Sequence, residues 1–368
     1  MQRTASIIRP QSWPATWLVA AILVGPPCAA LAGETRASCE LTAAESEWVQ
    51  KVLDGWEWVL AELLRREPGL PRMVLFDADC VWQLGAGADG DAGLEPIASS
   101  LSFAGAPVAI GGSGHEGTIA LPSGEEIPAA PIAAGFVYQQ GGEATPFFAL
   151  AMVDLWREQV DVAKEPHMEP FFLGVALHEM VHTLQIVALR REITELGGRH
   201  DLPPQLDDDV IQTRFGDVPG FREALEAERD LLYRAALAED EWASKVLAEQ
   251  AIVLVRTRRE RFFHGDQSFY ARLEDVFLNL EGLAVWAHYR VALHDRDVAF
   301  QPDVRSPDPR TLIEKVWRKS GYWSQDEGFA LVLLLERFVP HWQEEMLGPE
   351  LPSPVDLLAR ELARPAAP

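Results

Sequence analysis

His178-Glu179-Met180-Val181-His182 places two imidazoles four residues apart with a carboxylate between them, a spacing suited to binding a metal ion. No Pro or Gly interrupts Val175 to Leu196, so the group is expected on a helix. There, side chains four apart lie one above the other, with Cβ atoms roughly 5–6 Å apart. Both rings can then reach one Zn²⁺ at its preferred ~2.0–2.1 Å. Leu177, Val181, Leu184 and Ala188 form an apolar stripe that would seat the helix in a core. Glu179 projects beside the pair. It is placed to take a proton from water whose pKa the ion lowers toward ~7, and to pass it to a leaving group. The plainer reading is two core histidines that only satisfy hydrogen bonds. In this composition the pattern arises by accident in roughly one or two sequences per hundred, so context has to decide.

The segment resembles the zincin superfamily of zinc metallopeptidases, a likeness that closely covers only the motif helix. It implies His178 and His182 as zinc ligands and Glu179 as general base. The metzincin branch requires Gly and His three and six residues after the second His; Gln185 and Ala188 stand there, which leaves the gluzincin type, with a third ligand Glu on a later helix. Glu192 and Glu195 lie about 15–20 Å further along the motif helix and cannot fold back. Glu281, in Asn279-Leu280-Glu281-Gly282-Leu283-Ala284, looks like the gluzincin N-E-G-[FL]-A helix, where Gly beside the ligand lets two helices approach closely. Two departures are that Asn279 stands two places before the Glu instead of one, and that the interval from His182 is long. Glu228 is the second candidate: its spacing is more ordinary, but its charged neighbours suit a solvated helix face. Glu327-Gly328 comes third and equally suits an N-terminal cap. His288 and Tyr289, beside Glu281, are candidate catalytic donors to the oxyanion of a tetrahedral intermediate, with helix packing as the alternative.

The elements that must hold these residues fall into two regions. From Leu41 to Arg66, Trp48, Val52, Trp56, Val59, Leu60 and Leu63 recur at helical spacing until Pro68-Gly69, which predicts a packing helix. Between Arg72 and Ala149, short apolar runs alternate with Gly, Pro and Asp, and read as strands at 73–76, 81–84, 107–110, 117–121 and 134–138. Residues 85–93 and Gly111-Gly112-Ser113-Gly114 read as loop and turn. After Phe148 the pattern turns helical, at about 147–158, 170–196, 220–238, 240–263, 267–294, 309–319 and 325–346. Asp207-Asp208-Asp209 lacks the alternation of a calcium loop and reads as a helix-start acidic cluster. Arg256 to Arg261 reads as an exposed face pairing with acidic neighbours. The expected class is α+β: a small N-terminal β-sheet region followed by a predominantly α-helical, zincin-like catalytic region. The divisions are a signal peptide over 1–32, a helix and sheet over 33–150, and a metal-binding region over 151–368.

Composition narrows the function. With 368 residues, 48% of them hydrophobic, the chain can bury a large core. A net charge of -24 excludes nucleic acid as an expected partner and disfavours anionic lipid, since both need clustered Lys and Arg. Arg3 and Arg9 precede an apolar run from Trp17 to Val24, then Pro26-Pro27 and Ala30-Leu31-Ala32, the pattern of a cleaved secretory signal. The run is far shorter than the roughly 20 residues that span a bilayer, so no stable membrane insertion is expected after cleavage. Cleavage would leave Cys39 and Cys80, for which a disulfide is expected in a periplasmic or secreted protein; two free buried thiols are the alternative. The expected activity is zinc-dependent hydrolysis of a peptide or protein substrate. The rivals are a non-catalytic exported binding or scaffold protein that keeps the fold, and a zinc hydrolase of a non-peptide amide or ester.

Overall fold

The computed structural model describes residues 38–85, 94–140, 143–159, 167–203, 206–319 and 321–364. The expected signal segment, and 86–93 of the expected glycine-rich loop, lie outside the described residues.

Helix α1 (Ala43–Trp58) opens with a capping box. Thr42 Oγ1 accepts from Glu45 N–H, and the Glu45 carboxylate accepts from Thr42 N–H, which satisfies two of the donors a helix start leaves open. A π-helical segment, Val59–Leu64, continues it until Arg65 turns left-handed at φ 53°. Trp48, Val52, Trp56, Val59, Leu60 and Leu63 are all buried, as their spacing predicts.

The strands are β1 (Arg72–Phe76), β2 (Cys80–Leu84), β3 (Glu95–Pro96), β4 (Ser102–Phe103), β5 (Ala106–Pro107), β6 (Ile110–Gly114), β7 (Thr118–Ala120), β8 (Glu126–Pro128), β9 (Ala133–Gln140) and β10 (Glu143–Ala151). Six of them form one mixed sheet in the order β3-β6-β2-β1-β10-β9, with β1 parallel to β10 and the other pairs antiparallel. Two expectations are corrected here. Gly111 to Gly114 belong to strand β6; a Cβ on Gly112 would sit 2.6 Å from Ile97 Cδ1 and 3.0 Å from Trp82 Cδ1, so this glycine allows a close approach across the sheet. Residues 147–151 continue β10 and do not start a helix. All five are buried, and a short, fully buried apolar run has no periodicity to separate strand from helix.

The helices that follow are α2 (Val153–Gln159), α3 (Met168–Gly197), α4 (Val210–Phe215), α5 (Phe221–Ala236), α6 (Glu241–Phe262), α7 (Tyr270–His294), α8 (Pro309–Lys319), α9 (Trp323–Phe338), α10 (Trp342–Met346) and α11 (Pro354–Leu362). The run expected over 325–346 breaks around Pro340, with His341 left-handed at φ 58°, because proline cannot continue a helix. The molecule is thus α+β, as expected. Its main apolar core joins the sheet to α1, α3, α7 and α9. Among the described helices, only α3 is long and apolar enough to cross a membrane, and 83% of that stretch is buried inside the molecule. Cys39 and Cys80 form a disulfide, compatible with an oxidising, exported compartment.

Candidate metal centre

Helix α3 lies between the sheet and α7 and carries its polar motif through the interior. His178 is 9% exposed, Glu179 1% and His182 0%. Strand β9 crosses close by, so that a Cβ on Gly135 would lie 3.7 Å from His182 Cβ. On the other side, Gln185 of α3 donates to the side-chain and backbone oxygens of Asn279 on α7, at 2.9 and 3.3 Å. Asn279 in turn donates to Pro352 O. This accounts for the asparagine two places before Glu281: it fixes α7 against α3, one turn from the motif. Gly282 performs the close approach expected of it, but toward α9. A Cβ there would lie 2.5 Å from Gly328 O.

The Nε2 atoms of His178 and His182 are 2.9 Å apart with the rings nearly perpendicular. Glu281, fully buried on α7, faces both, with Oε2 3.5 Å from His178 Nε2 and Oε1 3.4 Å from His182 Nε2. Tetrahedral ligands at ~2.0–2.1 Å from one ion stand roughly 3.3 Å from each other, so the two Glu281 distances fit such a set and the histidine pair would open by a few tenths of an ångström. Ligand atoms of His178, Glu179 and His182 also lie within 4.8 Å of one another. An N–H···N bond alone would account for the 2.9 Å separation. It would leave both oxygens of Glu281, Glu179 Oε2 and His182 Nδ1 buried without hydrogen-bond partners, an arrangement that costs several kcal/mol in a dry interior (~1–3 per group). A bound cation would give Glu281 and Glu179 a charge to face.

Electrostatics point the same way. Burial lowers His178 to about 4 and, with the nearby His178, holds His182 well below the usual imidazole range, so both rings are neutral at pH 7, as metal ligands must be. Burial, followed by the charges of Glu281 and Asp208, pushes Glu179 well above the ordinary carboxylate range. Glu281 rises to about 8, from burial and then Asp209, against an opposing effect of Gln325. Two neutral imidazoles beside carboxylates that burial makes reluctant to ionise form a donor group that could hold a metal ion.

The other candidates are placed elsewhere. Glu228 on α5 is buried and not on a solvated face. It accepts from Arg258 Nε at 2.6 Å, which removes it as a metal ligand. Arg258, expected on an exposed face, is also buried, and its Nη1 donates to Glu274. Glu327 is not a cap: it lies inside α9, 1% exposed, near Arg258. His288 Nε2 is engaged by the Ala299 carbonyl at 2.9 Å. A Cβ on Gly174 would fall 1.8 Å from that nitrogen, so His288 bonds the segment that follows α7 while packing against α3, and has no free N–H at this atom for an oxyanion. The Tyr289 ring packs on Phe300 and Phe329, and its hydroxyl is raised to about 12 by burial and then Glu336, which directs it toward another charged pair. Asp208 escaped sequence reasoning. Its charge acts on both Glu179 and Glu281, and Gln325 Nε2 donates to its Oδ2 at 3.4 Å. Nothing in the run Asp207-Asp208-Asp209 separates it from its neighbours. Comparison with protein-family models, with curated proteins and with solved structures found no match.

Proposed function

We propose that the chain is an exported zinc metallopeptidase. The observation that carries this reading is the convergence of two buried, neutral imidazoles and the unpartnered Glu281 carboxylate, with Glu179 alongside. Three nitrogen and oxygen ligands with a fourth position left for water or substrate are the donor set of a catalytic zinc. Zn²⁺, when bound, supplies Lewis acidity toward the scissile carbonyl and the attacking water.

The chain's own part is as follows. His178, His182 and Glu281 would hold the ion between α3 and α7. Glu179 takes the water proton on its carboxylate, a task favoured by the proton affinity that burial and Glu281 give it, and returns that proton to the leaving amine. A peptide substrate is favoured by β9, the edge strand beside the motif helix, where an extended chain can pair by backbone hydrogen bonds. Val137 of β9 packs in the same apolar cluster as Leu202 and Leu206. The disulfide supports a periplasmic or secreted location.

Glu179→Gln separates the enzyme from a non-catalytic binding protein. Zinc content should be unchanged while peptide hydrolysis falls by about 10²–10⁴. Equal hydrolysis by both forms would remove Glu179 from the chemistry, and absence of any hydrolysis by the zinc-loaded wild type across a peptide library would favour the binding protein.

A further inference from the structure

Glu281 is fully buried, and neither of its oxygens closes a hydrogen bond of good geometry within the chain. Its angle toward His178 and His182 must therefore be set by what stands around it. Gln325, half-buried in the first turn of α9, is the neighbouring donor. Its amide favours the ionised carboxylate, while burial and the charge of Asp209 oppose ionisation. The same amide donates from Nε2 to Asp208 Oδ2 at 3.4 Å, the long end of such bonds. A glutamine NH₂ carries two hydrogens, so one serves Asp208 and one is left for Glu281.

Helix packing accounts for this placement. Gly328 of α9 meets Gly282 of α7 so closely that a Cβ on Gly328 would lie 2.7 Å from Leu278 O. The two helices run in the same direction, since Glu336 of α9 accepts from Trp286 and Arg290 further along α7. Gln325 stands three residues before Gly328, on the same face of α9, and so falls alongside the α7 turn that precedes Gly282. Helical side chains lean toward the N-terminus, which carries the Glu281 carboxylate back toward that turn. The start of α9 is also gripped from α4: Trp323 N–H donates to Gln212 Oε1, and Asp208 lies just before that helix.

We propose that Gln325 is a positioning residue of the metal centre, its amide anchored by Asp208 and its remaining N–H orienting the Glu281 carboxylate toward the two imidazoles. The inference rests on Glu281 being a metal ligand, as read above. A neutral amide suits the task. It offers donors to two carboxylates and adds no positive charge that would compete with an ion for Glu281, as a lysine or arginine at this place would. Asp208 then acts on the centre through Gln325, which ties the segment before α4 to the geometry of the ligand on α7.

The test uses the full chain, prepared zinc-free, with zinc affinity measured by competition against a chromophoric chelator. Gln325→Met keeps the length of the side chain and removes both donors. We expect it to bind zinc at least about tenfold more weakly than the wild type, with the Tm of the zinc-free protein unchanged. With Co²⁺ in place of zinc, its d–d absorption at saturation should differ from that of the wild type, because a reoriented carboxylate changes the ligand field. A role confined to packing α9 would leave that spectrum alone. Asp208→Ala added to Gln325→Met should weaken zinc by less than the product of the two single effects, as residues acting in series do. Wild-type zinc affinity and Co²⁺ spectrum in Gln325→Met would overturn the proposal, as would independent effects of the two substitutions, or a loss of zinc affinity matched by an equal loss of zinc-free stability. Should Gln325→Met fail a circular-dichroism check for folding, Gln325→Ala decides by the same readings. A wild type that takes up no zinc would sink the metallopeptidase reading and this proposal with it, whereas zinc held equally by wild type and variant would sink the role of Gln325 alone.

Discussion

Histidine charge is where residue identity becomes a measurable property of this chain. His288 titrates at about 3 in the folded protein, because burial disfavours its cation, against 6.5 for an ordinary imidazole. Between those values the unfolded chain binds the extra proton. Its contribution to stability is therefore complete above pH ~6.5 and is lost as pH falls toward 3, by roughly 5 kcal/mol at most. Urea midpoints measured from pH 7 to pH 4 should decline less steeply in His288→Gln than in the wild type; parallel declines would mean that His288 is charged or exposed. The residues of the candidate centre divide by how local their signal is. His178, Glu179 and His182 share one helix turn, so spacing alone brought them together, and Glu281, singled out by the Gly282 beside it, is a carboxylate that the fold brings to 3.5 and 3.4 Å from the two imidazoles. Glu228 and Asp208 could not be sorted in this way. Whether an acidic side chain meets Arg258, as Glu228 does, or adds its charge to the surroundings of Glu179, as Asp208 does, is decided by partners far away in the chain.

At the level of elements, the centre depends on how α7 is held. Its contact with α9 is a backbone crossing at Gly282 and Gly328, each of which would place a Cβ within 2.5–2.7 Å of the other helix's carbonyl oxygen. Gly282→Ala should push the helices apart at a cost of about 1–3 kcal/mol. Because Glu281 is the adjacent residue, zinc affinity should fall as well; an alanine variant with wild-type Tm and zinc affinity would show the crossing to be slack. The Arg258 group binds α5, α6 and α7 in the same manner. Glu228→Ala leaves a buried guanidinium short of its partner and should cost about 3–5 kcal/mol in denaturant unfolding, whereas a solvated glutamate would cost nearly nothing. Long helices with an apolar stripe, such as α5 and α7, were legible because their period is visible over several turns. The buried end of β10 and the glycines of β6 were not. A buried stretch of five residues carries no alternation, and a glycine chosen to admit Trp82 looks like a glycine chosen for a turn.

For the molecule as a whole, the disulfide bears on stability. Cys39 and Cys80 close a loop with a sequence separation of 41. Chain-entropy reasoning gives such a cross-link about 4 kcal/mol, so reduction should lower the guanidinium midpoint, and unchanged unfolding after confirmed reduction would contradict that account. The α+β class was readable from the whole chain because a strand-rich stretch precedes a helical one. The packing that unites them into one apolar core, from α1 through the sheet to α9, involves contacts with no local signature. That core brings α3 and α7 together, and the centre between them is best tested by metal analysis of the purified protein beside His178→Ala and Glu281→Ala. The account predicts one zinc per wild-type chain, lost from His178→Ala and weakened by at least about tenfold in Glu281→Ala, with both variants folded. A folded wild type that takes up no zinc, or variants that retain it in full, would contradict the account.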